Sequence, residues 1–364
     1  MACIPNRDVP ARLVPTVSSP SSASRVGVAA RIAGVATHLP DQILSNEDLA
    51  SSFPSWPADK ILEKTGIRER RIAAPGETAL DLATAACRSL FDRQPDLSGK
   101  IDFVILCTQA ADHILPTSAC ILQHRLGLPT SVGALDVNLG CSGFVYGLSL
   151  AAGLIASGSA RTILLVTADT YSKYINSRDK SVRTLFGDGA AATIVTGEDA
   201  ASASIGPFVF GTDGAGADRL IVPAGGFRMP QDSGTAVESE DASGNIRSAN
   251  DLFMDGGAVL NFTLREVPRT FRRLLAQAEL EPADLTAVIL HQANKFMLDT
   301  LQKKLGLEDA VVPRRYELVG NTVSSTIPFV IEQELAAGRL QPGSQAMLLG
   351  FGVGLSWAGT LVRF

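Results

Sequence analysis

A chain of 364 residues, 46% hydrophobic and 19% charged with a net charge of -5, can bury one large fold or two closely packed domains, and it excludes a disordered chain or a broadly basic nucleic-acid binder. Five scattered cysteines, Cys3, Cys87, Cys107, Cys120 and Cys141, form no CxxC pair and no zinc spacing, which points to a reducing compartment. Residues 1–25, rich in Pro and Ser, read as a disordered tail, and without an apolar run of the roughly 20 residues that span a bilayer a cytoplasmic protein is expected.

In chain order, short β-branched runs begin with "VGVAARIAGVA" and "IDFVILCTQ", separated by the helical pattern "ALDLATAACRSLFDRQ" at 79–94. "SVGALDVNL" then leads into Cys141 and "SGFVYGLSLAAGLIA", which reads as a buried helix. "RTILLVTAD" and "AAATIVTG" follow, then "VPRTFRRLLAQAEL" as a second clear helical pattern, "LTAVILHQ", "QAMLLGFG" and "AGTLVRF". Buried strands alternating with helices predict an α/β fold.

"VIL" at 104–106 recurs at 288–290, and "ILL" at 163–165 is answered by "MLL" at 347–349, both at an offset of 184 residues that also sets Cys141 against Ser325. Either the chain is two halves on one plan or short aliphatic triplets match by chance. Two stretches stand outside that plan. Residues 222–251 are polar and rich in Gly and Ser, which reads as a lid or pocket wall or else as a surface insertion. Residues 170–190 also have no counterpart and read as a pocket wall or subunit contact.

Cys141 falls at the expected N-terminus of its helix, where unpaired N–H groups and the macrodipole favour a thiolate. The alternative is a buried structural cysteine. His291 follows "LTAVIL" at the end of a buried strand, where α/β folds present reactive groups, or it is a satisfied core histidine. Asn321 lies between Gly320 and Pro328 in a small-residue segment, which aims its amide inward or merely forms a turn.

Taken together, "KTGIRERRIAAPGET", "CSGFVYGLSLA", "FGDGAAATIV", "HQANK", "KKLG", "GNTVSSTIP" and "LLGFGVGLSWAGTLVRF", in this order, resemble the ketoacyl-acyl-carrier-protein synthase III family of the thiolase superfamily over residues 27–364. The resemblance implies a duplicated α-β-α-β-α layered fold, with the nucleophile in residues 26–200 and the His and Asn in 201–364, and a homodimer. It implies the catalytic set Cys141, His291 and Asn321, an oxyanion hole from the N–H groups of Cys141 and Val353, and an acyl pocket at Leu115, Thr117 and Phe186. Carrier-protein or coenzyme A contacts are implied at Lys60, Lys180, Asn294, Lys295, Lys303 and Lys304, although such lysines can equally be solvated surface charges.

The implied reaction is a decarboxylative Claisen condensation. An acyl primer, delivered on coenzyme A or carrier protein, is held as a thioester on Cys141, and malonyl-acyl-carrier protein loses CO2 and attacks it. His291 and Asn321 would hold the enolate oxygen, one such donor being worth about 3 to 4 kcal/mol. No metal, no other cofactor, no nucleic acid and no membrane are called for. Acyl transfer to an oxygen or nitrogen acceptor, and an inactive subunit of a heteromeric synthase, are the rival readings.

Several positions depart from the family pattern. Lys60 and Lys180 occupy the places of the tryptophan and arginine that stack adenine in coenzyme A-primed members, and lysine has no planar face, though Trp56 is near. Phe296 replaces an arginine after "HQAN", Val353 stands where glycine is common, and Leu115 replaces a frequent phenylalanine. These departures favour a specialised primer over acetyl-CoA. No glutamate accompanies Thr117, and Asn321 is not acidic, which favours the decarboxylative branch.

Overall fold

The apolar runs form two sheets. The computed structural model describes residues 28–199 and 204–364, so the expected tail at 1–25 and the expected boundary of the halves at 200–201 lie outside the described residues. Sheet one contains β1 (Val28–His38), β2 (Phe103–Cys107), β3 (Gly133–Val137), β4 (Thr162–Asp169) and β5 (Gly189–Asp199), in the spatial order β1-β5-β4-β2-β3. Sheet two contains β6 (Ile205–Thr212), β7 (Ala287–Leu290), β8 (Gln345–Gly352) and β9 (Ser356–Arg363), in the order β7-β8-β9-β6.

Read from β6, sheet two repeats the first four strands of sheet one. Each has two antiparallel pairings followed by a parallel one. The offset of 184 holds for β2 and β7, but Ile105 pairs with Leu165 whereas Ile289 pairs with Leu348, so β4 and β8 correspond at one residue less. Faces agree with this correction. Ile163 and Leu165 point to the same central core as Ala346 and Leu348, while Met347 points outward.

Helices complete five layers. On the outer face of sheet one, α1 (Ala79–Arg93) and α2 (Ser118–Arg125) bury Leu80, Leu90 and Leu122 with Val104 and Leu164. Between the sheets, α3 (Gly143–Ala156) and α6 (Thr326–Ala336) place Phe144, Leu148, Ile327 and Ile331 against Ile105 and Leu165 on one side and Ile289 and Leu348 on the other. On the outer face of sheet two, α4 (Gly256–Ala278) and α5 (Lys295–Leu305) bury Phe271, Leu274, Leu298 and Leu301. The layering is the expected α-β-α-β-α.

Small residues let the central layer close. A Cβ on Gly147 would stand 2.5 Å from Leu165 Cδ1, so a side chain there would push α3 off sheet one. Helix α4 begins 11 residues before the run legible in sequence, because Asp255 caps it by accepting from the N–H of Ala258 at 2.9 Å. No helix among the described residues is long and apolar enough to cross a membrane.

Residues 222–251 leave and rejoin the fold through an antiparallel stem, Leu220–Ile221 against Phe253–Met254. They are fastened to the 170–190 segment. Arg247 donates from Nε to Asp179 at 2.8 Å and from Nη2 to Asp241 at 2.7 Å, Asn176 donates to Glu238 at 2.7 Å, and the N–H of Leu252 donates to the Tyr174 carbonyl at 2.7 Å. The two stretches without a counterpart form one wall.

Candidate active site

Cys141 precedes α3, His291 follows β7, and Asn321 lies in the loop before α6, so both sheets and both central helices converge on one point. All three side chains are buried and line one cavity of about 250 Å³ with Phe186, Leu220, Met254, Val259, Asn294, Met297 and Phe351. Phe186, implied for the acyl pocket, and Asn294, implied for carrier or coenzyme A contact, thus both line the cavity of Cys141. Among the described residues no cluster of three or more His, Cys, Asp or Glu is placed to hold a metal ion.

The backbone N–H groups of Val353 and of Cys141 itself act on the Cys141 thiol in the direction that favours its thiolate. Gly352 leaves room for the thiol, since a Cβ there would lie 2.8 Å from both Cβ and Sγ of Cys141. Burial, and then the nearby Asp169 carboxylate, push the thiol up to about 12 despite those two N–H groups. At neutral pH the group is a thiol. Helix α3 starts at Gly143 with no side-chain cap.

His291 is fixed by its backbone and by its ring. Its N–H donates to the Leu349 carbonyl at 2.9 Å, its ring meets Phe351 edge-on at 5.5 Å between centroids, and its Nδ1 lies 2.7 Å from Thr326 Oγ1. Burial pushes the imidazole down to about 3, so the ring is neutral near pH 7. Asn321 is sewn between Leu185 and Gly187, its N–H donating to the Leu185 carbonyl at 2.9 Å and its carbonyl accepting from Gly187 at 3.0 Å. Its Oδ1 accepts from the N–H of Val323 at 2.9 Å. That leaves the amide NH2 as the group for the cavity.

Residues that sequence reasoning missed hold this loop. Asp169, which ends β4, accepts from the Ser324 hydroxyl and from the Gln109 N–H, and burial pushes its carboxyl up to about 7. A carboxylate closing the mostly apolar run "TILLVTAD" was the available signal. Ser325 bonds Thr167 at 2.9 Å, and Val323 adopts a left-handed φ of 55°, uncommon for a β-branched residue and without any sequence signature.

A second cavity, of about 610 Å³, shares Leu220 with the first and is lined by Gln109, Tyr171, Tyr174, Gln231, Asn250 and Val353 among others. Residues 222–251 form part of its wall. Leu115 and Thr117 line neither cavity within one protomer: Leu115 is exposed on a surface loop and Thr117 stands just before α2.

The implied coenzyme A and carrier residues disperse. Lys60 sits 5.2 Å from the Trp56 ring centroid and donates to the Ser55 carbonyl at 3.1 Å. Lys180 donates to the Ser243 carbonyl, so it anchors the 222–251 wall rather than standing free for a nucleotide. Lys295 pairs with Asp299, while Asn294 caps α5 by accepting from Met297 at 2.9 Å. Lys303 and Lys304 are exposed in the last turn of α5, roughly 14 Å along the helix from Asn294.

Comparison with known proteins gives one family. Residues 135–214 match 3-oxoacyl-[acyl-carrier-protein] synthase III and residues 275–364 match its C-terminal domain. The chain is 33% identical over 340 residues to a beta-ketoacyl-[acyl-carrier-protein] synthase III of Caldanaerobacter subterraneus subsp. tengcongensis, covering 93% of this chain and 98% of that one. A crystal structure of a 3-oxoacyl-(acyl-carrier-protein) synthase III is 60% identical with a TM-score of 0.91, covering 92% of this chain and 100% of that one. A crystal structure of a 3-oxoacyl-(acyl-carrier protein) synthase from Burkholderia xenovorans LB400 is 36% identical with a TM-score of 0.84, over 93% and 94% of the two chains.

Proposed function

The chain belongs to the 3-oxoacyl-[acyl-carrier-protein] synthase III family, and from that premise we propose how its residues divide the work of joining an acyl primer to malonyl-acyl-carrier protein. The reaction is a decarboxylative condensation giving a 3-ketoacyl thioester and CO2. The Cys141 thiol gives up its proton as its sulfur attacks the primer's thioester carbonyl, and that proton leaves on the carrier thiol. The N–H groups of Cys141 and Val353 hold the oxyanion.

In the second half, the malonyl C–C bond to the carboxylate breaks and its electron pair becomes an enolate. Hydrogen bonds from His291 and the Asn321 amide hold the enolate oxygen, its carbon attacks the acyl carbonyl on Cys141, and the thiolate leaves. A neutral His291 suits this role, since it donates one hydrogen bond without leaving a charge in the dry cavity after CO2 is lost. The carrying observation is that Cys141, His291 and Asn321 share one cavity.

The primer is something other than acetyl-CoA: Lys60 covers Trp56, Lys180 is tied to Ser243, and a 610 Å³ chamber adjoins the reactive cavity at Leu220. Lys303 and Lys304 meet an acidic carrier protein. A second copy pairs along β3, a sheet edge half-exposed over its whole length, and the loop bearing exposed Ile114 and Leu115 reaches the partner. The thiols of Cys87, Cys107 and Cys141 are free, in keeping with work in the reducing cytoplasm.

Intact-protein mass after exposure to a panel of acyl-CoAs and acyl-carrier proteins, with Cys141→Ser as control, tests the assignment. The expected adduct depends on Cys141, and malonyl-carrier protein labelled in its carboxylate then releases CO2. An adduct with no CO2 release returns the simple acyl-transfer reading, and no adduct from any donor returns the inactive subunit.

A further inference from the structure

A neutral imidazole carries one N–H, and a ring that must hold an enolate oxygen has to present that N–H to the cavity. His291 is buried and neutral, so whatever Nδ1 meets decides which nitrogen keeps the proton. Nδ1 meets the Thr326 hydroxyl at 2.7 Å. The same hydroxyl lies 3.1 Å from the Val323 carbonyl, which already accepts the backbone N–H of Thr326. The hydroxyl proton thus has two acceptors in reach, this carbonyl, which also acts on the ring, and Nδ1, the nearer of the two at 2.7 Å.

We propose that Thr326 is a positioning residue that donates its hydroxyl proton to His291 Nδ1 and so fixes the ring as the Nε2–H tautomer, with the donor facing the reactive cavity. The backbone adds to the same device. Val323, at a φ of 55°, turns its N–H onto Asn321 Oδ1 at 2.9 Å and its carbonyl toward Thr326, so one strained residue holds the partners of both enolate donors. This inference deepens the condensation reading and rests on it for its catalytic consequence, though not for the tautomer.

Nitrogen-15 NMR of the imidazole, with the His291 signals assigned from a His291→Gln spectrum, reads the tautomer directly. The expected result is a protonated Nε2 and an acceptor Nδ1 in the wild type and in Thr326→Ser. In Thr326→Val, which keeps the shape and loses the hydroxyl, Nδ1–H becomes populated, condensation falls about 100-fold and Cys141 acylation changes less than about threefold. A wild-type ring protonated on Nδ1 overturns the proposal whether or not either Thr326 variant folds. So does a Thr326→Val enzyme that keeps either the wild-type tautomer or the wild-type condensation rate. Wild-type protein that shows Nε2–H but releases no CO2 overturns the reaction assigned above and leaves the hydrogen bond standing.

Discussion

The backbone N–H of Val323 holds the side-chain oxygen of Asn321 at 2.9 Å, so the orientation of the Asn321 amide is set before any substrate arrives. Oxygen faces the loop and nitrogen faces the cavity. A donor fixed in advance costs no reorganisation when charge develops on the enolate, which is where such a group has most effect.

Asn321→Ala is expected to lower condensation by about 100- to 1,000-fold, the usual effect of removing one oxyanion donor. Acylation of Cys141 should stay near wild type, because its oxyanion donors are other N–H groups. Quenched-flow mass spectrometry for the first half and labelled CO2 for the second separate the two. Equal losses in both halves would contradict the division of roles.

The Cys141 thiol, pushed up to about 12 by burial, is protonated throughout the neutral range. Below that value the thiolate fraction rises about tenfold per pH unit, so alkylation by iodoacetamide should climb from pH 7 to pH 9 without a plateau. A plateau below pH 8 would show that the helix end lowers the thiol more than burial raises it. His291, pushed down to about 3, predicts no loss of condensation through imidazole titration between pH 5 and pH 8.

Gly352→Ala would put a Cβ 2.8 Å from both Cβ and Sγ of Cys141. The backbone there needs no left-handed conformation, so the harm is local, a displacement of the sulfur or of the turn that carries the Val353 N–H. Acylation is expected to fall about 100-fold, the scale of a 1 Å misplacement, with the melting temperature changed by only a few degrees. Wild-type acylation by this variant would refute the close contact.

Arg247→Gln would strand Asp179, whose side chain is 1% exposed and which otherwise bonds only within its own turn at Ser181. Breaking such a pair typically costs about 3 kcal/mol. Urea unfolding should show the loss, and limited proteolysis should find new cuts in residues 222–251. Unchanged stability and protection would mean that the wall is held by its other contacts.

The positions of Cys141, His291 and Asn321 after apolar or small-residue runs made them candidates, the resemblance joined them into one set, and the structure brings them to one cavity. Register was not legible in the sequence. Strands buried on both faces, such as "TILLV" and "AMLLG", lack the alternation that fixes a face, so "ILL" matched "MLL" although Ile163 corresponds to Ala346. Lys180 misled for another reason: its partner, the Ser243 carbonyl, is 63 residues away, beyond any local pattern. Thr326 and Val323 were invisible because their roles depend on one side chain reaching Nδ1 and on one backbone angle.

Helices α3 and α6 lie back to back between the sheets, and the nucleophile precedes one while the enolate amide precedes the other. Neither half therefore owns a reaction centre. Severed between the sheets, each polypeptide would expose an apolar helix face and be inert and sticky alone, and turnover would return only as the faces reseal. Catalysis in this protein is thus a gauge of how faithfully its two halves are aligned.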